Sequence, residues 1–421
     1  MLRRIQIRGF KSIQDVDVEL APVVVLLGPN AVGKSNLLEA IQLVSRVVTE
    51  RTLADAFQQP LRGYPLEAFS LPREGMPGLL AQDAAVLSLT ADIGPSGTSA
   101  AQGDSLRYRV EISIDPRAGA LQIADEYLAR LKRDGTPKHR PRIEREGKKL
   151  MVRQLEKAGR PLEEQLGLNH TLASNLQFSG EKRYPDFDQL RQELSAWRMY
   201  YLDPRTAMRT AQTPREVTDI GSSGEWIAAF LYRLKESKKH QQAFKAVARA
   251  VRSAIPSVQS LDVDLDPKRG TLDITIMQEG TPLSSRIISE GTLRVLALCA
   301  IAANPWPGRL VAFEEPENGV HPRRIEVVAD LLANLGRTGR TQVIVSTHSP
   351  TLVAAMARLQ EQSPEDIRLL RCSQHNMTTR VSPLGDSGPM FADIDVRAAL
   401  SSSEDNGHLV AEAMRRGWLD G

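Results

Sequence analysis

The sequence predicts an α/β fold: a sheet-and-helix head interrupted by an inserted lobe of mixed β and helical structure. Three observations predict it. A fully apolar run, Val23-Val-Val-Leu-Leu27, leads into a glycine-bearing loop and then a helical pattern from Lys34 to about Val48, the strand–loop–helix opening of an α/β unit. Two later runs, Leu310-Val-Ala-Phe313 and Thr341-Gln-Val-Ile-Val345, each end in clustered polar residues, as parallel strands do where their C-terminal ends meet a ligand. The stretch between has a different character, which divides the chain into a head, 1–115 and 260–421, and an inserted lobe, 116–259.

At 421 residues the chain exceeds the usual size of one compact core, so a head with a second lobe is expected. With 41% hydrophobic and 25% charged residues the composition is that of a globular protein and excludes disorder of the whole. The formal charge of +3 is too near balance to imply a nucleic-acid partner, so local charge must decide. Cys299 and Cys372 lack the spacing of a zinc site or redox pair and read as buried thiols in a reducing compartment. Residues 1–10 alternate apolar and polar, which reads as a strand and not a secretion signal. No apolar run approaches about 18 residues, so no membrane partner and a cytoplasmic location are expected.

Along the chain, Ile5 to Arg8 and Ile13 to Leu20 read as strands around a turn at Gly9. Residues 51–101 are broken by Pro60, Pro65, Pro72, Pro77 and Pro95 and read as an irregular insertion. Strands return at Leu106 to Ile114 and Ala120 to Leu131. From Arg130 to Arg160, twelve Lys or Arg face four acids in a turn-rich segment. Phe187 to Ile255 is mostly helical, most clearly at Glu225 to Leu234 and Gln241 to Ile255. Leu272 to Ile276 is again strand-like and stops at a Gly280 turn.

Gly28-Pro29-Asn30-Ala31-Val32-Gly33-Lys34-Ser35 has the P-loop spacing. Successive backbone N–H groups must point inward around phosphates, which side chains at the glycines would obstruct. The loop follows a buried strand and opens a helix whose N-terminal dipole favours anions. Lys34 would neutralise the β- and γ-phosphates of ATP and Ser35 would ligate Mg2+. In Leu310 to Pro316, Glu314 would hold the metal directly or through water and Glu315 would polarise the attacking water; the bland alternative is a strand ending in solvated acids. His348, after the next apolar run, could hydrogen-bond the γ-phosphate or that water, though a lone strand-end histidine is more often structural. Ser289-Glu290-Gly291-Thr292-Leu293-Arg294 opens an apolar helical stretch, either as an ordinary helix cap or as an anion-facing helix start.

In chain order these elements, with Ile5-Gln-Ile-Arg-Gly-Phe-Lys-Ser12, Phe313-Glu-Glu-Pro-Glu-Asn-Gly-Val-His-Pro322 and Ser346-Thr-His-Ser-Pro350, resemble the SMC/RecF-like ABC ATPases, especially the overcoming-lysogenization-defect (OLD) class. The resemblance covers roughly 1–48 and 260–350. It implies an ABC-type P-loop NTPase head, magnesium-dependent ATP hydrolysis, and a homodimer or higher oligomer in which Ser289 and Gly291 contact the γ-phosphate held by the opposite subunit. Two departures stand out: Glu314 where Asp is usual, and Glu290 where many members have Gly. The Gln-bearing coupling loop is not placed by the sequence; Gln122 is one candidate for it. Many OLD-class proteins continue into a Toprim nuclease. Only 73 residues follow His348, and Asp393-Ile-Asp395 reads as a solvated loop, so a separate effector protein is expected.

For the ATPase's use, one expectation is a DNA-associated or phage-defence machine. Lys132, Arg133, Lys138, Arg140, Arg142, Arg145, Lys148 and Lys149 are its candidate contacts to double-stranded DNA, against the alternative of a solvated hairpin. A second is an ATP-dependent assembly scaffold with little turnover and no direct DNA binding. A transporter subunit ranks third.

Overall fold

The computed structural model describes residues 1–95, 104–155 and 160–384. β1 (Leu2–Phe10) and β2 (Ile13–Glu19) form an antiparallel hairpin, and β3 (Val23–Leu27) then enters a second sheet and delivers the chain to helix α1 (Lys34–Thr49). Two short helices, α2 (Leu53–Ala56) and α3 (Gly75–Leu80), precede β4 (Ala85–Ile93), β5 (Ser105–Ile114) and β6 (Leu121–Leu131). The small strands β7 (Ile143–Glu146), β8 (Lys149–Val152) and β9 (Leu162–Gln165) follow, then α4 (Pro185–Leu194) and β10 (Trp197–Tyr200). Helices α5 (Ile227–Glu236) and α6 (Gln241–Ala254) lead to a meander, β11 (Val258–Asp266), β12 (Thr271–Gln278) and β13 (Thr281–Ser284). The chain closes through α7 (Glu290–Ala302), β14 (Leu310–Glu314), α8 (Ile325–Arg337), β15 (Gln342–Thr347), α9 (Pro350–Gln362), β16 (Ile367–His375) and β17 (Thr378–Pro383).

These strands build an eight-stranded sheet, β2-β1-β4-β5-β6-β7-β8-β9, and a six-stranded one, β10-β14-β15-β3-β16-β17, parallel except at β17. Side chains of the parallel strands alternate between two cores. Val24, Leu26, Ala312 and Ile344 face α1 and the antiparallel sheet, while Val23, Val25, Phe313 and Val345 face α7 and α8. Strands buried on both faces explain why these runs are continuously apolar. Gln342, 1% exposed, ties the sheets together: its Oε1 accepts from Leu2 N (2.8 Å), and its Nε2 donates to Leu2 O (2.8 Å) and Ala21 O (2.9 Å).

Two expectations change. Residues 51–101 are not wholly irregular, because β4 is an interior strand of the antiparallel sheet, between β1 and β5. The span 116–259 is interleaved with the head instead of standing apart as a lobe: β6 joins β5, and β10 pairs with β14 in parallel. Strand pairing over the full length of β5 and β6 buries their apolar faces in the same core as β1, which leaves no separate core for a lobe. Asp393 and Asp395 lie outside the described residues. Cys299 and Cys372 are buried, and burial pushes both thiols up to about 12. Among the described residues no helix is long and apolar enough to cross a membrane.

Candidate active site

The P-loop, Gly28 to Ser35, joins the C-terminal end of β3 to the first turn of α1. Gly33 has φ 98°, and a Cβ there would lie 2.0 Å from Thr379 Oγ1, so only glycine fits. The loop is stitched from far along the chain. Thr379 Oγ1 donates to Val32 O (2.8 Å) and accepts from Ser12 Oγ (2.6 Å), which accepts from Asn36 Nδ2 (2.7 Å). Lys34 Nζ donates to Gly28 O (2.7 Å) and Pro29 O (2.6 Å). Burial pushes its ammonium below the ordinary value, opposed by Cys372 and the nearby carboxylates of Glu315, Glu314 and Glu317. Beside the loop opens a cleft of about 780 Å³ lined by Lys11, Ser12, Arg62, Phe69, Met377 and Thr378.

Glu314 ends β14, and its Oε1 accepts from the Ser35 hydroxyl, which joins the two residues expected to hold the metal. Glu315 follows at φ 47°, a left-handed conformation costing a non-glycine residue about 1–2 kcal/mol. Its N–H donates to Ser346 O (2.9 Å), which fixes the strained turn to β15. The carboxylate is held from both sides: Oε1 lies 2.7 Å from His348 Nδ1, and Oε2 accepts from Asn318 Nδ2 (2.6 Å). Among the described residues no cluster of three or more His, Cys, Asp or Glu could hold a metal. One hydroxyl beside one carboxylate still suits Mg2+, which binds through one or two side chains and keeps most of its waters. Glu317, 4% exposed, accepts from Thr347, and burial pushes its carboxyl up.

Ser289 caps α7, accepting from Thr292 N (3.2 Å). A Cβ on Gly291 would lie 2.4 Å from Gly319 O, so this glycine lets the helix start pack on the turn after the paired acids. Both residues belong to a helix on the face of the parallel sheet opposite α1. The chain after β10 grips this helix start. Arg205 Nε donates to Glu290 Oε1 (2.8 Å), and Arg209 donates to Ser285 O (3.3 Å), Ile288 O (2.6 Å) and Arg286 O. Sequence reasoning missed Arg209, Thr379 and Tyr201, which carry no local motif. Gln122 lies on β6, in the antiparallel sheet beside Gly167, away from the C-terminal ends of the parallel strands.

The basic stretch is partly neutralised by acids of the same chain. Arg130 and Arg142 both donate to Asp186, which is 1% exposed. Lys138 pairs with Asp104 (2.7 Å) and Lys149 with Glu163 (2.5 Å), while Arg145 donates to Gly147 O and Ala124 O. Lys132, Arg133, Arg140 and Lys148 are exposed.

The solved structure titled "Crystal structure of the SmcHead bound to the C-winged helix domain of ScpA" matches 91% of this chain and 98% of its own at 15% identity and TM-score 0.52, a likeness of fold. An "OLD nuclease" of Thermus scotoductus is 43% identical over 44 residues, 10% of this chain and 8% of that protein. A "DNA replication and repair protein RecF" of Gloeobacter violaceus is 46% identical over 55 residues, 13% of this chain and 15% of that protein. The chain thus matches under a sixth of the length of either relative. A family profile described as "AAA domain, putative AbiEii toxin, Type IV TA system" matches residues 23–354, and the chain belongs to that family as an ABC-type P-loop ATPase of the OLD and SMC/RecF-like kind.

Proposed function

We propose that the chain binds ATP with magnesium and hydrolyses it, and that two copies close head to tail around two nucleotides. The observation that carries this is the pairing of the Ser35 hydroxyl with Glu314 beside the Glu315–His348 pair, at strand ends next to the P-loop lysine. Lys34 turns from the loop carbonyls to the β- and γ-phosphates. Ser35 and Glu314 hold Mg2+, which when bound offsets phosphate charge. The cleft with Phe69 and Met377 as apolar walls and Lys11 and Arg62 as cations takes the base and ribose.

Glu315 accepts a proton from the attacking water, and His348 orients that carboxylate. Ser289 and Gly291 of each copy face the γ-phosphate bound by the other, because their helix start lies on the opposite face of the sheet. The cycle gates a DNA-associated or phage-defence activity whose effector is a separate protein; the short stretches shared with a nuclease and a repair protein support it.

The test compares ATP turnover and sedimentation of wild type, Lys34→Ala and Glu315→Gln, with and without double-stranded DNA. Loss of a general base slows turnover by about 10²–10⁴-fold. Glu315→Gln is expected to stop turnover and accumulate an ATP-dependent dimer that Lys34→Ala cannot form. A wild type that assembles with ATP but does not turn over favours an assembly scaffold, and one that does neither refutes the proposal.

A further inference from the structure

The C-terminal ends of three parallel strands bring a row of polar side chains to one place. In register, Tyr200 lies opposite Phe313, which lies opposite Val345, and Glu314 lies opposite Ser346. Tyr201, one residue beyond Tyr200, therefore stands beside Glu314, with Ser346 on the other side. Alternation settles which face they share. Tyr200, Phe313 and Val345 point into the core of α7 and α8, with the Tyr200 and Phe313 rings stacked at 5.3 Å. The preceding row, Met199, Ala312 and Ile344, points toward α1. Tyr201, Glu314 and Ser346 thus share the α1 face, where the Ser35 hydroxyl meets Glu314.

Glu314 has its partner in Ser35, but its two neighbours do not. Tyr201 Oη and Ser346 Oγ are both buried and have no hydrogen-bond partner among the described residues. A buried hydroxyl left unsatisfied costs about 1–3 kcal/mol, so two such groups flanking the metal-holding acid call for a ligand outside the protein. Each hydroxyl oxygen carries lone pairs and can accept a hydrogen bond as well as donate one. A magnesium ion bound by one hydroxyl and one carboxylate retains several waters, and such waters are strong donors in need of acceptors.

We propose that Tyr201 and Ser346 are positioning residues that accept hydrogen bonds from waters of the divalent cation, one on each side of Glu314. This rests on the assignment of Ser35 and Glu314 to the metal. It also links the chain after β10 to the metal's waters through Tyr201.

The experiment titrates Mn2+ into wild type, Tyr201→Phe, Ser346→Ala and the double variant in the presence of ADP, read by electron paramagnetic resonance. Fluorescent-nucleotide affinity in EDTA and thermal melting are measured in parallel. Loss of an outer-shell partner weakens metal affinity about 10–100-fold. Each single variant is expected to lose about tenfold in Mn2+ affinity and the double variant more, with a changed Mn2+ line shape. Metal-free nucleotide affinity stays as in wild type and metal-free melting does not fall, whereas loss of a structural hydrogen bond would lower it. Mn2+ affinity within twofold of wild type in both single variants, while Ser35→Ala loses it, overturns the proposal. If Ser35→Ala and Glu314→Gln also bind Mn2+ as wild type does, the metal assignment itself fails.

Discussion

Replacing Arg209 with alanine tests how the start of α7 is held. The substitution removes hydrogen bonds to Pro204 O (2.8 Å), Ser285 O (3.3 Å), Ile288 O (2.6 Å) and Arg286 O, and three of the four end on the segment before Ser289. A hydrogen bond from a charged group contributes about 1.5–3 kcal/mol. Arg209 is only half-buried, and the freed carbonyls can be hydrated, so the lower figure applied to the bonds to Ile288 O and Arg286 O gives about 3 kcal/mol of local opening at that segment. At 1.4 kcal/mol per tenfold, amide hydrogen exchange there should speed up roughly 150-fold. Suitable reporters are the amides of Ser285, bonded to Ile274 O (2.8 Å), and of Ile287 and Ile288, bonded to Ser284 O at 3.0 and 3.2 Å. The amides of α6 serve as the unaffected control. If Ser289 meets a second copy's nucleotide as proposed, ATP-dependent self-association should weaken while nucleotide binding to the monomer stays the same. Unchanged exchange at 285–288, or undiminished self-association, would refute the assignment of Arg209 as the brace.

Three further outcomes are expected. Glu126, fully buried, accepts from Leu172 N (2.6 Å), Ala173 N (2.9 Å) and Tyr108 Oη (3.1 Å), yet burial pushes its carboxyl from 4.5 to about 7. A folded-state value above the unfolded one means stability is fully present below about 4.5 and lost as pH rises through about 7. Denaturation across that window should show a decline of roughly 3 kcal/mol that Glu126→Gln flattens, even though the variant loses an acceptor and is less stable at low pH. Asp186→Ala leaves Arg130 and Arg142 without their shared buried carboxylate and should cost about 3–5 kcal/mol in chemical denaturation. If the chain binds DNA through the exposed quartet Lys132, Arg133, Arg140 and Lys148, changing all four to alanine should lower the salt-dependence slope by roughly 0.9 for each phosphate no longer neutralised, and an unchanged slope removes them from the interface.

The parts of the site that were legible in the sequence are those whose chemistry dictates a local spacing. The P-loop needs its glycines and lysine in consecutive turns, and a buried parallel strand ending in acids announces both its core and its ligand end. β4 was obscured because the prolines before it dominate the segment, although Leu87, Leu89, Ala91 and Ile93 all end in the core. β10 is four residues long, too short for periodicity to single out, and its value lies in the register it makes with β14, more than a hundred residues later. That is why Tyr201 carried no signal. The basic stretch misled in the opposite direction: its charge density is visible locally, but Asp186, Asp104 and Glu163, which neutralise part of it, arrive from other segments.

The stitching of the P-loop by Thr379 bears on when the protein becomes competent during synthesis. The Val32 carbonyl, the Ser12 hydroxyl and the space that forces glycine at position 33 are all defined by a residue over 340 positions later. A ribosome that has delivered Lys34, the paired acids and His348 has therefore still not delivered the strand that sets the loop's shape. Nascent chains truncated before β17 should carry every motif residue yet bind nucleotide poorly, so nucleotide affinity becomes a checkpoint on completion of the fold.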